Sequence, residues 1–169
     1  MKLTPWLYVL VLGACVAAVT VPDNLQPAAG EAIVATVAAK GVQIYECRAG
    51  KTDPGAYEWV FVAPEAQLFD ERGALVGTHG AGPFWQANDG SKVLGTVKAR
   101  GDAPGGNAIP WLLLTTKPEG PPGAWSKVTS VQRVNTAGGV APSSRCGRDS
   151  AGAAARVAYT ADYRLFAPK

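Results

Sequence analysis

From residue 33 onward the chain alternates short apolar runs with clusters of Gly, Pro, Asp and Asn. Residues 33–37 (IVATV) are largely β-branched, and Ala39-Lys40-Gly41 reads as the turn that ends them. Residues 42–47 (VQIYEC) alternate, with Val42 and Ile44 on one face and Gln43, Tyr45 and Cys47 on the other, the period of a strand. Thr52-Asp53-Pro54-Gly55 is a turn signal. Residues 57–62 (YEWVFV) follow it as a strand with Tyr57, Trp59 and Phe61 on one face. Two hairpins come next: residues 66–69 and 74–79 around the turn 70–73, then residues 84–87 and 91–100 around the turn 88–90. Residues 109–116 contain the apolar run 111–114, expected to be buried on both faces. Residues 125–134 alternate, and so do residues 156–166, which place Val157, Tyr159, Ala161, Tyr163 and Leu165 on one face. Between them, residues 136–148 are irregular and rich in Gly, Pro and Ser. No segment sustains a 3.6-residue period. The pattern predicts one all-β domain, an antiparallel β-barrel or β-sandwich of about nine or ten short strands. Both architectures alternate in the same way, so the choice between them stays open.

The N-terminus has a different texture. Lys2 precedes an uncharged apolar run over residues 6–19, and Val21-Pro22-Asp23-Asn24 then turns polar. The run is shorter than the roughly 20 residues a spanning helix needs. It reads as a secretory signal over residues 1–18, ahead of a single all-β domain over residues 22–169 with no transmembrane span. Val16-Ala17-Ala18 offers the small residues that simple cleavage requires. Leu12-Gly13-Ala14-Cys15 resembles a bacterial lipobox, in which Cys15 becomes a lipidated first residue and a lipid anchor. Simple cleavage is preferred, because the lipobox match is short and its second position atypical. Either way the expected destination is the periplasm, cell envelope or extracellular space. Cys47 and Cys146 are then the remaining cysteines, an even pair that an oxidising compartment should join. The alternatives are two simply buried thiols or a metal pair, the latter poor with one histidine in the whole chain.

Composition narrows the function classes. Of the 169 residues, 47% are hydrophobic and only 17% charged, which argues against disorder. The 20 Gly and 13 Pro cut the chain into pieces too short for a helical bundle. A net charge of +3, evenly spread, gives no basic stripe for nucleic acid. There is no P-loop, G-x-G-x-x-G, H-E-x-x-H, C-x-x-C or G-x-S-x-G, and no cofactor or metal is implied. Glu46, Glu58 and Asp162 sit in strand patterns, where solvated carboxylates or partners for Arg48, Arg133 or Arg164 are expected.

The most unusual stretch is GTHGAGPFW, residues 77–85, which sets His79 among glycines beside Phe84 and Trp85. Asp89 follows closely. An imidazole there can serve as a general acid or base, or as a hydrogen-bonding contact. The plainer reading has His79 ending a strand, Phe84 and Trp85 filling the core, and Asp89 shaping a hairpin turn. Three functions are carried forward. The first is a non-enzymatic envelope or secreted module that binds an unknown small molecule or cell-surface component through His79, Phe84, Trp85 and Asp89. The second is a small secreted hydrolase or isomerase that uses His79 with a carboxylate such as Asp89. The third is a structural surface protein.

Several fragments stand together in one order: GVQIYEC (41–47), the Trp59 strand running on to Pro64-Glu65-Ala66, GTHGAGPFW (77–85), DGSKV (89–93), IPWLLL (109–114), VQRVNTAGGVAP (131–142) with Cys146, and YTADY (159–163). In that order the chain resembles the secreted "domain of unknown function 3455" family of bacteria and fungi, over about residues 21–166. The resemblance implies an exported single-domain protein and brings no catalytic residues with it. Some fungal relatives carry a malate dehydrogenase label. This chain lacks the dinucleotide fingerprint that such an activity needs.

Overall fold

The structure, a computed structural model, describes residues 20–169. The signal read over residues 1–18 and the lipidation reading of Cys15 lie outside the described residues. Eight antiparallel strands close into one barrel in simple chain order, β1 pairing with both β2 and β8. They are β1 (Glu31–Ala49), β2 (Tyr57–Phe69), β3 (Leu75–Gly80), β4 (Phe84–Ala87), β5 (Lys92–Gly101), β6 (Trp111–Pro118), β7 (Ser130–Gly138) and β8 (Ala154–Pro168). The choice between barrel and sandwich therefore falls to the barrel. Closure leaves no free edge, and eight strands enclose an interior wide enough for side chains or one small ligand. Among the described residues no helix is long and apolar enough to cross a membrane.

Eight strands replace the nine or ten expected because β2 runs through Pro64, joining residues 57–62 to 66–69, and β1 does not turn at Ala39-Lys40-Gly41. It runs unbroken for 19 residues. Gly41 serves a close approach instead of a turn: a Cβ there would sit 2.0 Å from the Glu65 carbonyl oxygen of the paired β2. The length lets β1 pair with β8 along residues 31–46 and with β2 along residues 38–49. The two hairpins form as expected, as β2–β3 and β4–β5. The alternation expected in β8 also holds, with Tyr159, Ala161, Tyr163 and Leu165 buried inside. The strand expected from Trp125 begins only at Ser130, and Trp125 lies in the preceding connection.

The barrel interior holds the main core, in which Val37, Leu68, Trp85, Trp125, Tyr163 and Leu165 pack with smaller side chains. Trp111, Leu113 and Leu114 are all buried, as the apolar run predicts. The reason is specific to this fold. Leu114 faces the interior, while Trp111 and Leu113 lie in a second cluster with Leu25, Ala103 and Val134. Leu25 belongs to a short 3-10 turn, Asp23–Leu25, ahead of β1. Gln132 Nε2 donates to the Leu25 carbonyl at 2.7 Å and helps hold that segment in place.

The two barrel ends differ. The β2–β3 turn, the β4–β5 turn and the β6–β7 connection meet at one end around Trp125, which is 5% exposed. Its ring lies on Gly77, where a Cβ would come within 2.7 Å of the indole. Glycine at 77 is what allows the backbone to come this close to the ring. At the other end the β7–β8 connection folds back over the rim. It is tied there by the Cys47–Cys146 disulfide, which spans 99 residues of sequence with Cα atoms 5.6 Å apart. Tyr45 Oη donates to the Gly139 carbonyl at 2.7 Å, and Trp59 Nε1 to the Ser144 carbonyl at 3.0 Å. The cysteine pairing expected from parity is thus formed.

Candidate functional site

A cavity of about 460 Å³ opens at the disulfide end, within the size range of small-molecule sites. Its inner wall combines Gln43 and Tyr45 of β1, His79 of β3, Trp85 of β4, Arg133 of β7 and Tyr163 of β8. Strand alternation explains the set. In β1 the inward residues are Gln43, Tyr45 and Cys47, while Val42 and Ile44 face outward. Phe61, Val62 and Val97 line the cavity yet remain 49%, 44% and 53% exposed, so its lip is apolar.

His79 is 3% exposed and lies between two aromatic rings. It stacks on Trp85 with centroids 4.6 Å apart, and Tyr163 lies at 4.9 Å. His79 Nδ1 is 2.7 Å from the Phe84 carbonyl oxygen. A carbonyl only accepts, so Nδ1 carries the proton of the neutral ring and Nε2 the lone pair. Burial lowers the imidazole pKa to about 3; the Phe84 carbonyl opposes that, and the Arg133 charge adds slightly to it. His79 is therefore a neutral hydrogen-bonding and stacking group near neutral pH.

Tyr45 and Tyr163 of the cavity wall, and Tyr159 beside Tyr163, respond to burial and to Arg133. Burial raises the phenols of Tyr45, Tyr159 and Tyr163, and the nearby guanidinium of Arg133 opposes the rise in each case. Arg133 is held by donating from Nε and Nη2 to the Pro110 carbonyl at 3.0 and 2.8 Å. Tyr159 and Tyr163 have their hydroxyls 3.4 Å apart. Among the described residues two buried donors on the lining, Gln43 Nε2 and Trp85 Nε1, have no protein partner, and Trp111 Nε1 in the second cluster has none either. Buried polar groups are nearly always paired, so each such exception calls for a reason.

Of the four residues singled out from sequence, the structure brings His79 and Trp85 together in the cavity. Phe84 contributes only its carbonyl there. Trp85 faces inward, so its neighbour faces outward, and the Phe84 ring packs on Gly80 with Lys92 Nζ 4.9 Å from its centre. Asp89 lies at the opposite end, in the β4–β5 turn. Its carboxylate accepts from Ser91 N at 2.9 Å, Ser91 Oγ at 2.6 Å and Ala124 N at 2.7 Å. Those bonds, Ser91 Oγ first, hold its pKa below the ordinary carboxylate value. The His79–Asp89 pairing considered for catalysis is not formed, and among the described residues that line the cavity none is acidic. Glu46 does pair with Arg48, Asp162 accepts from Asn135, and Arg164 donates to Gln132. Arg133 instead turns to the cavity.

Gln43, Tyr45, Arg133 and Tyr163 escaped the sequence reading as site residues. For Gln43, Tyr45 and Tyr163 the signal was the alternation in residues 42–47 and 156–166, where polar or hydroxyl-bearing side chains share a face; Arg133 carried none. Without barrel closure that face has no assigned side.

The chain belongs to the family described as Protein of unknown function (DUF3455), whose model matches residues 27–167. No curated protein and no solved structure matches it.

Proposed function

We propose that this DUF3455 protein is an exported, non-enzymatic binding module that takes a small molecule into the open end of its barrel. One observation carries the reading. A cavity of about 460 Å³ has an exposed apolar lip and two buried donors, Gln43 Nε2 and Trp85 Nε1, without protein partners. A ligand with an acceptor group would satisfy those donors, and its apolar part would cover the lip. The neutral His79, clamped on the Phe84 carbonyl, fits a contact role better than proton shuttling near neutral pH. The uncharged run at residues 6–19 and the Cys47–Cys146 disulfide support export.

The test is native mass spectrometry, paired with denaturing spectra, on protein recovered without reductant from the cells that make it. The denatured mass should show loss of the N-terminal segment. The native spectrum should show an added small-molecule mass that denaturation removes. In two-dimensional NMR, adding that molecule back should shift the Trp85 indole N–H and leave Trp125 unmoved. A full-length denatured mass would overturn export. A returned molecule that shifts Trp125 and leaves Trp85 unmoved would overturn the site.

A further inference from the structure

The cavity's polar groups, taken together, describe the ligand's chemistry, on the premise that the cavity is a ligand site. They leave a ligand two buried unpartnered donors and positive charge, beside the acceptor lone pair of His79 Nε2. Trp85 Nε1 can only donate, and it is buried without a partner, as is Gln43 Nε2. The Tyr45 hydroxyl already donates to Gly139, and the Pro110 carbonyl already accepts twice from Arg133. Arg133 and Arg100 both line the cavity, and among the described residues neither forms an ion pair. With no carboxylate on the described lining, the guanidinium charge has no counterion from the barrel wall. A half-buried cation in that position is stabilised by an anion brought from outside, and the planar guanidinium matches a carboxylate well.

The rest of the wall specifies the body. Trp85 presents its indole beside His79, and Leu112, Leu114 and Ile109 add apolar surface. Phe61 and Tyr45 meet edge to face near the lip, with centroids 5.8 Å apart. Flat apolar molecules suit such walls. We infer that the cavity takes an organic monoanion, a flat apolar body against the Trp85 side with a carboxylate reaching Arg133.

The probes are 2-naphthoate and its neutral counterpart 2-naphthylmethanol, titrated into the full protein and followed by calorimetry and by the Trp85 indole N–H signal. Naphthoate should bind about tenfold or more tightly than the alcohol, since a hydrogen bond to a charged group is the stronger kind. Arg133→Met should bring that ratio down to about threefold or less, and Arg133→Lys should restore part of it. Arg133 also holds the Pro110 carbonyl, so a poorly folding variant is replaced by a salt series on the unmodified protein. Naphthoate affinity should then fall with ionic strength while the alcohol's stays level. Equal affinity for the two probes would overturn the anion inference and leave the ligand site standing. Binding of both probes without any shift at Trp85 would overturn both.

Discussion

The two ends of this barrel are built from the same strands and treat their polar atoms in opposite ways. At the closed end each conspicuous polar group has a partner. Asp89 accepts three hydrogen bonds, and Ser91 Oγ also accepts from Trp125 N at 3.0 Å. Glu31 ties the start of β1 to Thr129 and Ser130. Trp125 then fills the bore against Gly77. At the open end, among the described residues, Gln43 and Trp85 keep unpartnered donors, Arg133 forms no ion pair, and Phe61, Val62 and Val97 stay exposed. The closed end shows that this chain satisfies buried polar groups where only stability is at stake. The open end departs from that rule at Gln43 and Trp85, where a ligand site is the physical account of the departure; Trp111 Nε1, outside the cavity in the second cluster, departs from it without that account.

The contrast can be broken most severely at the plug. Trp125→Ala should cost about 3–5 kcal/mol in urea unfolding, because a buried indole is lost and the bore cannot collapse around Gly77. A cost under about 1 kcal/mol would mean that the closed end is not sealed by packing. Next comes the clamp on the open end. Replacing Cys47 and Cys146 together by Ala should cost about 2–4 kcal/mol and free the β7–β8 connection from the rim, measured by the same unfolding and by faster amide exchange over residues 139–147. Ser91→Ala removes the acceptor for the Trp125 amide and should cost about 1–3 kcal/mol.

The open end has a pH signature of its own. His79 has an ordinary value of 6.5 and a folded value of about 3, so the unfolded chain takes up its proton first. The stability from keeping this ring neutral is fully present above pH 6.5 and is lost progressively as the pH falls toward 3. Between pH 7.5 and 5.5 the loss should be on the order of 1 kcal/mol, and His79→Gln should flatten it. Glu31 and Asp89 are held below ordinary values of 4.5 and 3.8, so their own losses come at more acid pH. A variant whose pH slope matches the unmodified protein would remove His79 as the cause. The smallest stability effect belongs to the lip. Val97→Thr should stay within about 0.5 kcal/mol of the parent while weakening the naphthyl probes. A larger stability loss would mean that the lip belongs to the core.

Much of the scaffold was legible because it is local. Turn residues at 70–73 and 88–90 punctuate the two hairpins, and the alternation of β8 announced its buried face. The disulfide followed from parity. The misreading at residues 39–41 shows the limit: Gly41 looks like a turn residue from its neighbours, and only the approach of Glu65 explains it. Trp125 likewise matches a strand pattern but is needed as a plug. The site was half legible. His79 and Trp85 stand out by rarity and by the glycines around them, whereas Arg133 and Gln43 look like ordinary strand residues.

The sequence by itself determined that the chain is all-β, where most strands begin and end, and which cysteines pair, because propensity, turn chemistry and parity act over short distances or by counting. Only the tertiary structure decided which face is inside where both faces carry apolar side chains, as in residues 42–47. Alternation is symmetric between the two faces, and the choice depends on how the sheet closes, a property of all eight strands together. Closure turned Gln43 and Tyr45 inward, set Arg133 and Tyr163 opposite them, and left Phe84 and Asp89 outside the cavity they seemed to share with His79.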